Sequence, residues 1–248
     1  MGILKEFVEI KMKNRIMTVV GFCSFLVATQ ASAAVTLLND DFSSGLSVTK
    51  IYDGVGTHNF GASVVNSGNP GDALAVNTQL WGGSEGINYF IGFNGLTYNP
   101  STQGAIDSFS YSFDHKRPVY GYGGHGYALT MLQDDVYNYF GYSSFSDGSN
   151  WHTLSGSGLT EFDFSGARKV NNEVLAPMID FSQSGSEIQL GLMIFSGNGG
   201  SPYRTDSTLY DNFEVNLITT PVPEPSTYAL MLGGLGLVGF MARRRKQV

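Results

Sequence analysis

The sequence predicts an all-β domain folded as a two-sheet sandwich, and three observations point there. Glycine is abundant, at 32 of 248 residues, and aromatic residues reach 13% while charged residues make up only 14%. That is the composition of a turn-rich chain whose strands are built from Phe, Tyr, Val and Ile. Short apolar or alternating segments recur between turn signals, and no stretch between residues 34 and 220 sustains a helical 3.6-residue apolar period.

The first 33 residues read as a signal peptide. Lys11, Lys13 and Arg15 supply a positive start, and Ile16 to Ala28 form an apolar run too short to span a bilayer comfortably. Ala31-Ser32-Ala33 places small residues where signal peptidase needs them, so Ala34 is expected to begin the mature protein. Met12 is an alternative start that would shorten this leader. Cys23, the one cysteine, follows Phe22 rather than the small residue that lipid attachment requires, and it leaves with the leader. The mature domain therefore has no disulfide and no cysteine-based zinc site.

Residues 34–220 form the domain. Its candidate strands are Val35 to Leu38, Ala62 to Val65, Ala73 to Val76, Tyr89 to Phe93, Ile106 to Phe113, Tyr127 to Leu132, Tyr137 to Tyr142, Glu187 to Phe195 and Leu209 to Leu217. Segments at this spacing suit a sandwich. The period of two is clearest where Ile106, Ser108, Ser110 and Ser112 face one way and Asp107, Phe109, Tyr111 and Phe113 the other. Between Ala34 and Val222, six basic residues stand against 18 acidic ones, a net charge of −12. Such a surface repels phosphate backbones, which excludes nucleic acid as a partner, and attracts divalent cations.

Few motifs in this domain carry chemistry. Gly121 to Gly126 satisfies G-x-G-x-x-G, but that fingerprint needs a strand before it and a helix after it, and a glycine-rich loop is the expectation here. Gly82-Gly83-Ser84-Glu85-Gly86 matches a nucleophile elbow, yet Ile87 to Phe93 reads as a strand where a helix is required. His58, His115, His125 and His152 show no metal-binding spacing. Acidic residues such as Asp134, Asp135, Glu161 and Asp163 are plentiful without marking a glycosidase pair, so no catalytic residue is assigned. Aromatics are more informative, because sugar rings present apolar C–H faces that stack on Trp and Tyr. Trp81 and Trp151 in turn-rich stretches, and Tyr122 in the glycine loop, are the candidates for glycan stacking; core packing is the competing use of each.

The last segment, 221–248, has three parts: Val222-Pro223-Glu224-Pro225, an apolar stretch from Tyr228 to Ala242, and the basic end Arg243-Arg244-Arg245-Lys246. The order resembles the PEP-CTERM sorting signal. Physically, the proline motif is stiff and extended, as a protease needs for a strand-like substrate. The apolar run, of about 15 residues against the ~20 of a full span, with Gly233, Gly234, Gly236 and Gly239 in it, makes a marginal, short transmembrane helix. The basic cluster holds its end in the cytoplasm. The resemblance implies recognition by an exosortase through Pro223, Glu224, Pro225, Arg243, Arg244 and Arg245, removal of the tail, and transient anchoring in the inner membrane of a Gram-negative exopolysaccharide producer.

Asp40-Asp41-Phe42 and Leu209 to Val215 resemble the first and last strands of jelly-roll modules related to carbohydrate-binding modules. That resemblance implies terminal strands lying side by side, with Asp40, Asp41 and Asp211 as candidate ligands of a structural calcium ion; no other cofactor is expected. The leading expectation is a non-enzymatic exported protein of the cell surface or extracellular matrix that associates with polysaccharide. The alternatives are a secreted glycan-degrading enzyme and a homophilic structural surface protein.

Overall fold

The computed structural model describes residues 34–40, 42–54, 57–82, 86–119, 123–144, 148, 150–220 and 225–245. The signal-peptide positions, including Ala31 and Ala33, lie outside them, as do Asp41, Ser84, Tyr122, Pro223 and Glu224; the side chains of Asp40, Pro225, Arg244 and Arg245 are not described either. In chain order the strands are β1 (Ala34–Asp40), β2 (Leu46–Asp53), β3 (Thr57–Val65), β4 (Ala73–Trp81), β5 (Gly86–Tyr98), β6 (Ile106–Val119), β7 (His125–Gln133), β8 (Val136–Ser144), β9 (His152–Leu159), β10 (Gly166–Arg168), β11 (Val174–Leu175), β12 (Ile188–Gly197) and β13 (Tyr203–Thr219). The helices are α1 (Pro100–Gln103) and α2 (Pro225–Arg245).

Two antiparallel sheets face each other. Sheet A runs β3-β4-β13-β6-β9, with β1 also on β13, and sheet B runs β11-β10-β8-β7-β12-β5-β2. The core between them is aromatic: Phe93, Phe109, Phe113, Tyr127, Tyr210 and Phe213 are all buried in one cluster with Leu129, Leu192 and Val215. Every segment expected as a strand is one. Four strands, β2, β9, β10 and β11, were not expected: β9 is Ser- and Gly-rich, β10 and β11 are too short for a pattern, and β2 mixes Thr, Lys and Asp into its run.

The first and last strands lie together, with Ala34 opposite Thr219 and Asp40 opposite Phe213. A bulge makes room for this. Up to Tyr210, even-numbered residues of β13 face the core; the register slips between Asp211 and Glu214, Asn212 adopts a left-handed φ of 51°, and from Phe213 odd-numbered residues face it. At that point β1 replaces β4 as the neighbour of β13. A similar slip corrects the expected faces of β6. Ile218 pairs with Ser108 but Thr219 with Ile106, so Asp107 is the extra residue and Ile106 turns inward, away from the serine face and toward Phe109.

Charge is buried at one end of the core. Asp206 binds Arg117 through Nε at 3.0 Å and through Nη2, and it also pairs with Arg204. Arg204 in turn donates from Nη1 to the carbonyls of Gly124, at 2.6 Å, and Gly197, tying two loops to β13. His125 lies beside this group with Nε2 3.2 Å from Thr208 Oγ1. Burial, and then the two guanidinium groups, lower the pKa of His125 to about 3, so it is neutral.

The C-terminal segment is a helix of 21 residues, Pro225–Arg245, with proline at its start where a missing N–H costs nothing. The expected transmembrane segment is not seen: among the described residues no helix is long and apolar enough to cross a membrane. The four glycines and the basic end dilute its hydropathy.

Candidate functional site

Sheet B builds the most distinctive surface. On β7 the large residues Tyr127, Leu129 and Met131 enter the core, which leaves Gly126, Ala128 and Thr130 on the outer face. Beside them β12 and β5 contribute Gly191 and Gly92 to the same face. A strip of small residues forms a floor, and larger side chains from either side fold over it. Phe90 lies across both glycines: a Cβ at Gly191 would stand 2.7 Å from the Phe90 ring and 2.2 Å from the Ile91 carbonyl oxygen, and one at Gly92 would stand 2.8 Å from the ring. Gly191, which meets backbone, therefore requires glycine, while Gly92 is crowded by side chains alone.

The sheet curls strongly around this floor. Tyr137 on β8 and Phe90 on β5 are separated by β7 and β12, about 14 Å in a flat sheet, yet their rings meet at 5.0 Å. Tyr137 also hydrogen-bonds Thr49 on β2; burial pushes its phenol pKa up, and the Thr49 bond pulls the other way. Ile51, Phe90, Ala128, Tyr137 and Met193 make a second buried cluster here, outside the main core, with Leu132, Tyr139 and Phe195 half-buried against it. Tyr139 and Phe195 meet edge to face at 5.5 Å and form the accessible aromatic rim. Polar groups stand nearby: Gln189 reaches Ser47 Oγ at 3.4 Å, and Arg168 lies opposite Tyr137 and holds Asn172. The result is a curled, largely self-covered face with a half-buried aromatic rim and amide, hydroxyl and guanidinium groups beside it.

Of the predicted stacking residues, Trp81 and Trp151 lie elsewhere and Tyr122 is outside the described residues. Trp81 ends β4 on the outer face of sheet A, half-buried and tilted against Tyr203 at 5.6 Å. Trp151 precedes β9, and the Lys116 ammonium sits 4.8 Å over its ring, occupying a face that a sugar would need. Trp81 pairs with Tyr203 and Lys116 with Leu209, six residues apart on β13, or about 20 Å at the rise of a strand. The two tryptophans do not share a site. Sequence reasoning missed Phe90, Tyr137, Tyr139 and Phe195 because their meeting depends on curl across four strands. The signal available was the small–large alternation of Gly126 to Met131.

A second concavity, a cleft of about 610 Å³, lies at the β13 bulge and is lined by Asn39, Ser43, Asp72, Asp211, Asn212 and Glu214 among others. Asp211 accepts the backbone N–H groups of Asn69 and, at 2.7 Å, Asn212. The neighbouring Asp114 accepts from Thr153 at 2.5 Å, Asn212 at 2.8 Å and Asn69 at 3.2 Å. Burial pushes the Asp114 carboxyl up, but these three hydrogen bonds outweigh it and hold the pKa below the usual value. Protein donors thus pin the 66–72 loop to β13. Among the described residues no three acidic or histidine side chains gather as a metal site, so the described donors fall short of a calcium shell.

Histidines serve structure. His58 bridges the open side of the sandwich, with Nδ1 3.2 Å from Asp53 and Nε2 2.8 Å from the Tyr89 hydroxyl. This carboxylate–imidazole–phenol chain is a latch between sheets; Phe60 stacks on Tyr89 at 3.9 Å and burial raises the phenol's pKa. Of the two glycine motifs, the described parts run into strands: Gly86 opens β5 and Gly126 lies in β7, where each motif needs a helix.

Residues 221–246 match the family model of the PEP-CTERM protein-sorting motif. No curated protein matches the chain. Among solved structures, the fold is similar to a family 11 carbohydrate-binding module from Clostridium thermocellum in complex with a β-1,3-1,4-mixed-linked tetrasaccharide, at 13% identity over 77% of this chain and 99% of that one, TM-score 0.45. It is also similar to the CBM22-1 xylan-binding domain from Paenibacillus barcinonensis, at 13% identity over 77% and 99%, TM-score 0.37. The sorting motif marks an exported protein that an exosortase sorts.

Proposed function

We propose that this exported β-sandwich binds extracellular polysaccharide on the curled face of sheet B, at its aromatic rim, without cleaving it. The observation that carries the reading is the curled floor of small residues with Tyr139 and Phe195 at its rim. Stacking of sugar faces on this rim, with Gln189 and Arg168 meeting hydroxyls, is the chemistry such a surface offers. A net charge of −12 between Ala34 and Val222 disfavours strongly acidic polymers, so neutral glycans are the expected ligands. Signal peptidase frees Ala34, and an exosortase reads Pro223, Glu224 and Pro225 with the basic end Arg243 to Arg245, releasing the protein to the surface or matrix after transient anchoring.

The test pairs gel retardation in the host's own polymer and in neutral β-glucans with a reducing-end assay on the same samples. Retardation with no new reducing ends is expected. New reducing ends would replace this reading by that of a glycan-degrading enzyme, and no retardation in any polymer would remove the glycan altogether.

A calcium ion at the bulge cleft belongs to the same proposal, with Asp40 and Asp41 completing what Asp211 begins. A cation that binds only the folded state adds about 2.7 kcal/mol at a hundredfold excess over Kd. The melting midpoint should rise in millimolar calcium; a midpoint equal to that in chelator refutes the ion.

A further inference from the structure

The edges of the two sheets are protected unequally. Natural sheets blunt free edges with short strands, charges, proline or bulges, because an unpaired row of N–H and C=O groups recruits other strands. In sheet B, β11 has two residues, while β2 carries Lys50 and Asp53 and a bulge between Lys50 and Tyr52. In sheet A, β9 slips register opposite Phe109 and Tyr111 and contains Gly158 at φ 66°. Also in sheet A, β1 pairs only with β13 among the described strands and its seven residues end in Asp40; the strand β3 has none of these devices. Its nine residues, Thr57–Val65, pair with β4 in unbroken register and include no Asp, Glu, Lys, Arg or Pro. Asp53, which His58 contacts, is also bound to Lys50.

We infer that β3 is a self-association edge, pairing antiparallel with β3 of a second copy so that sheet A continues across the two molecules. The occupant follows from charge and from symmetry. Copies with a net charge of −12 repel one another, and an uncharged strip is where they can approach. An antiparallel pair centred on Gly61 sets Asn59 opposite Ser63 and Phe60 opposite Ala62, so no like charges meet and each side chain keeps its face. The inward side of β3 is also incompletely covered: Phe60 and Ala62 are half-buried and Val64 is 40% exposed at the open rim of the core. A second β3 would cover that rim. This is independent of glycan binding, which uses the other sheet.

Gly61 gives a clean test, because a Cβ there meets nothing within 4 Å and the mature domain contains no cysteine. Sedimentation of the secreted protein over a range of concentrations should show a dimer. Gly61→Lys, which opposes two ammonium groups at the two-fold axis, should weaken dimerisation at least tenfold with an unchanged melting midpoint. Gly61→Cys should oxidise to a covalent dimer at least tenfold faster than Ser157→Cys on the β9 edge. A monomer at every concentration overturns the inference and leaves the edge for a different protein. A dimer that tolerates Gly61→Lys, or equal cross-linking at the two edges, overturns it as well.

Discussion

The outer faces of the two sheets use the same strand geometry toward opposite ends. On sheet B the face is curled, its floor is glycine and alanine, and Phe90 and Met193 lie buried on what is formally the outside of the sandwich. On sheet A the corresponding face carries Thr57, Asn59, Gly61 and Ser63, exposed and uncharged, with Asn59 donating to Gln79 at 3.2 Å across the strands. The difference lies in which positions are small. Small residues beneath large ones let sheet B curl on itself, whereas the short polar residues of β3 leave that edge of sheet A open. The proposed glycan face on sheet B and the proposed docking edge on sheet A would therefore not compete.

The glycines offer the sharpest way to break this contrast. Gly191→Ala should destabilise the protein by about 2 to 3 kcal/mol, because the new methyl meets a backbone carbonyl and the Phe90 ring. The same substitution at Gly61 should change stability by less than about 0.5 kcal/mol, since open space surrounds it. Denaturant titration of the two variants checks both; equal costs would mean that sheet B does not close over its floor.

Acid acts on both faces together, because His125 lies in the shared interior. Its folded pKa of about 3 is depressed from 6.5. Above pH 6.5 neither state is protonated; as pH falls below it the unfolded chain binds a proton that the folded one refuses. Stability should fall by about 1.4 kcal/mol per pH unit, or about 2 kcal/mol at pH 5. His125→Gln should remove that slope between pH 6.5 and 5. An unchanged slope would place the titrating group elsewhere.

These two faces were not equally legible in the sequence. The strand pattern and the aromatic side of β6 followed from alternation, because a period of two is a local property, whereas the pairing of β1 with β13 was expected only from the resemblance to jelly-roll modules. Bulges at Asp107 and Asn212 were not legible: one residue shifts the phase, and the sequence on either side reads equally well in both. The aromatic cluster of sheet B was hidden for a stronger reason. Phe90, Tyr137, Tyr139 and Phe195 come from three strands distant in sequence, and no local pattern reports the curl that joins them. Trp81 and Trp151 draw notice by residue type; in the structure Trp81 is tilted against Tyr203 and the Lys116 ammonium sits over the ring of Trp151.

The central claim is that the aromatic rim of sheet B, and not the tryptophans of sheet A, meets the glycan. Isothermal titration of the polymer that retards the protein, against Tyr139→Ala and Trp81→Ala with melting midpoints measured in parallel, tests it most directly. Loss of one stacking ring is expected to cost about 1.4 kcal/mol, a tenfold weaker Kd, in Tyr139→Ala, while Trp81→Ala binds like the parent. Binding that survives Tyr139→Ala and is lost in Trp81→Ala, with both variants folded, would contradict the account and move the site to sheet A.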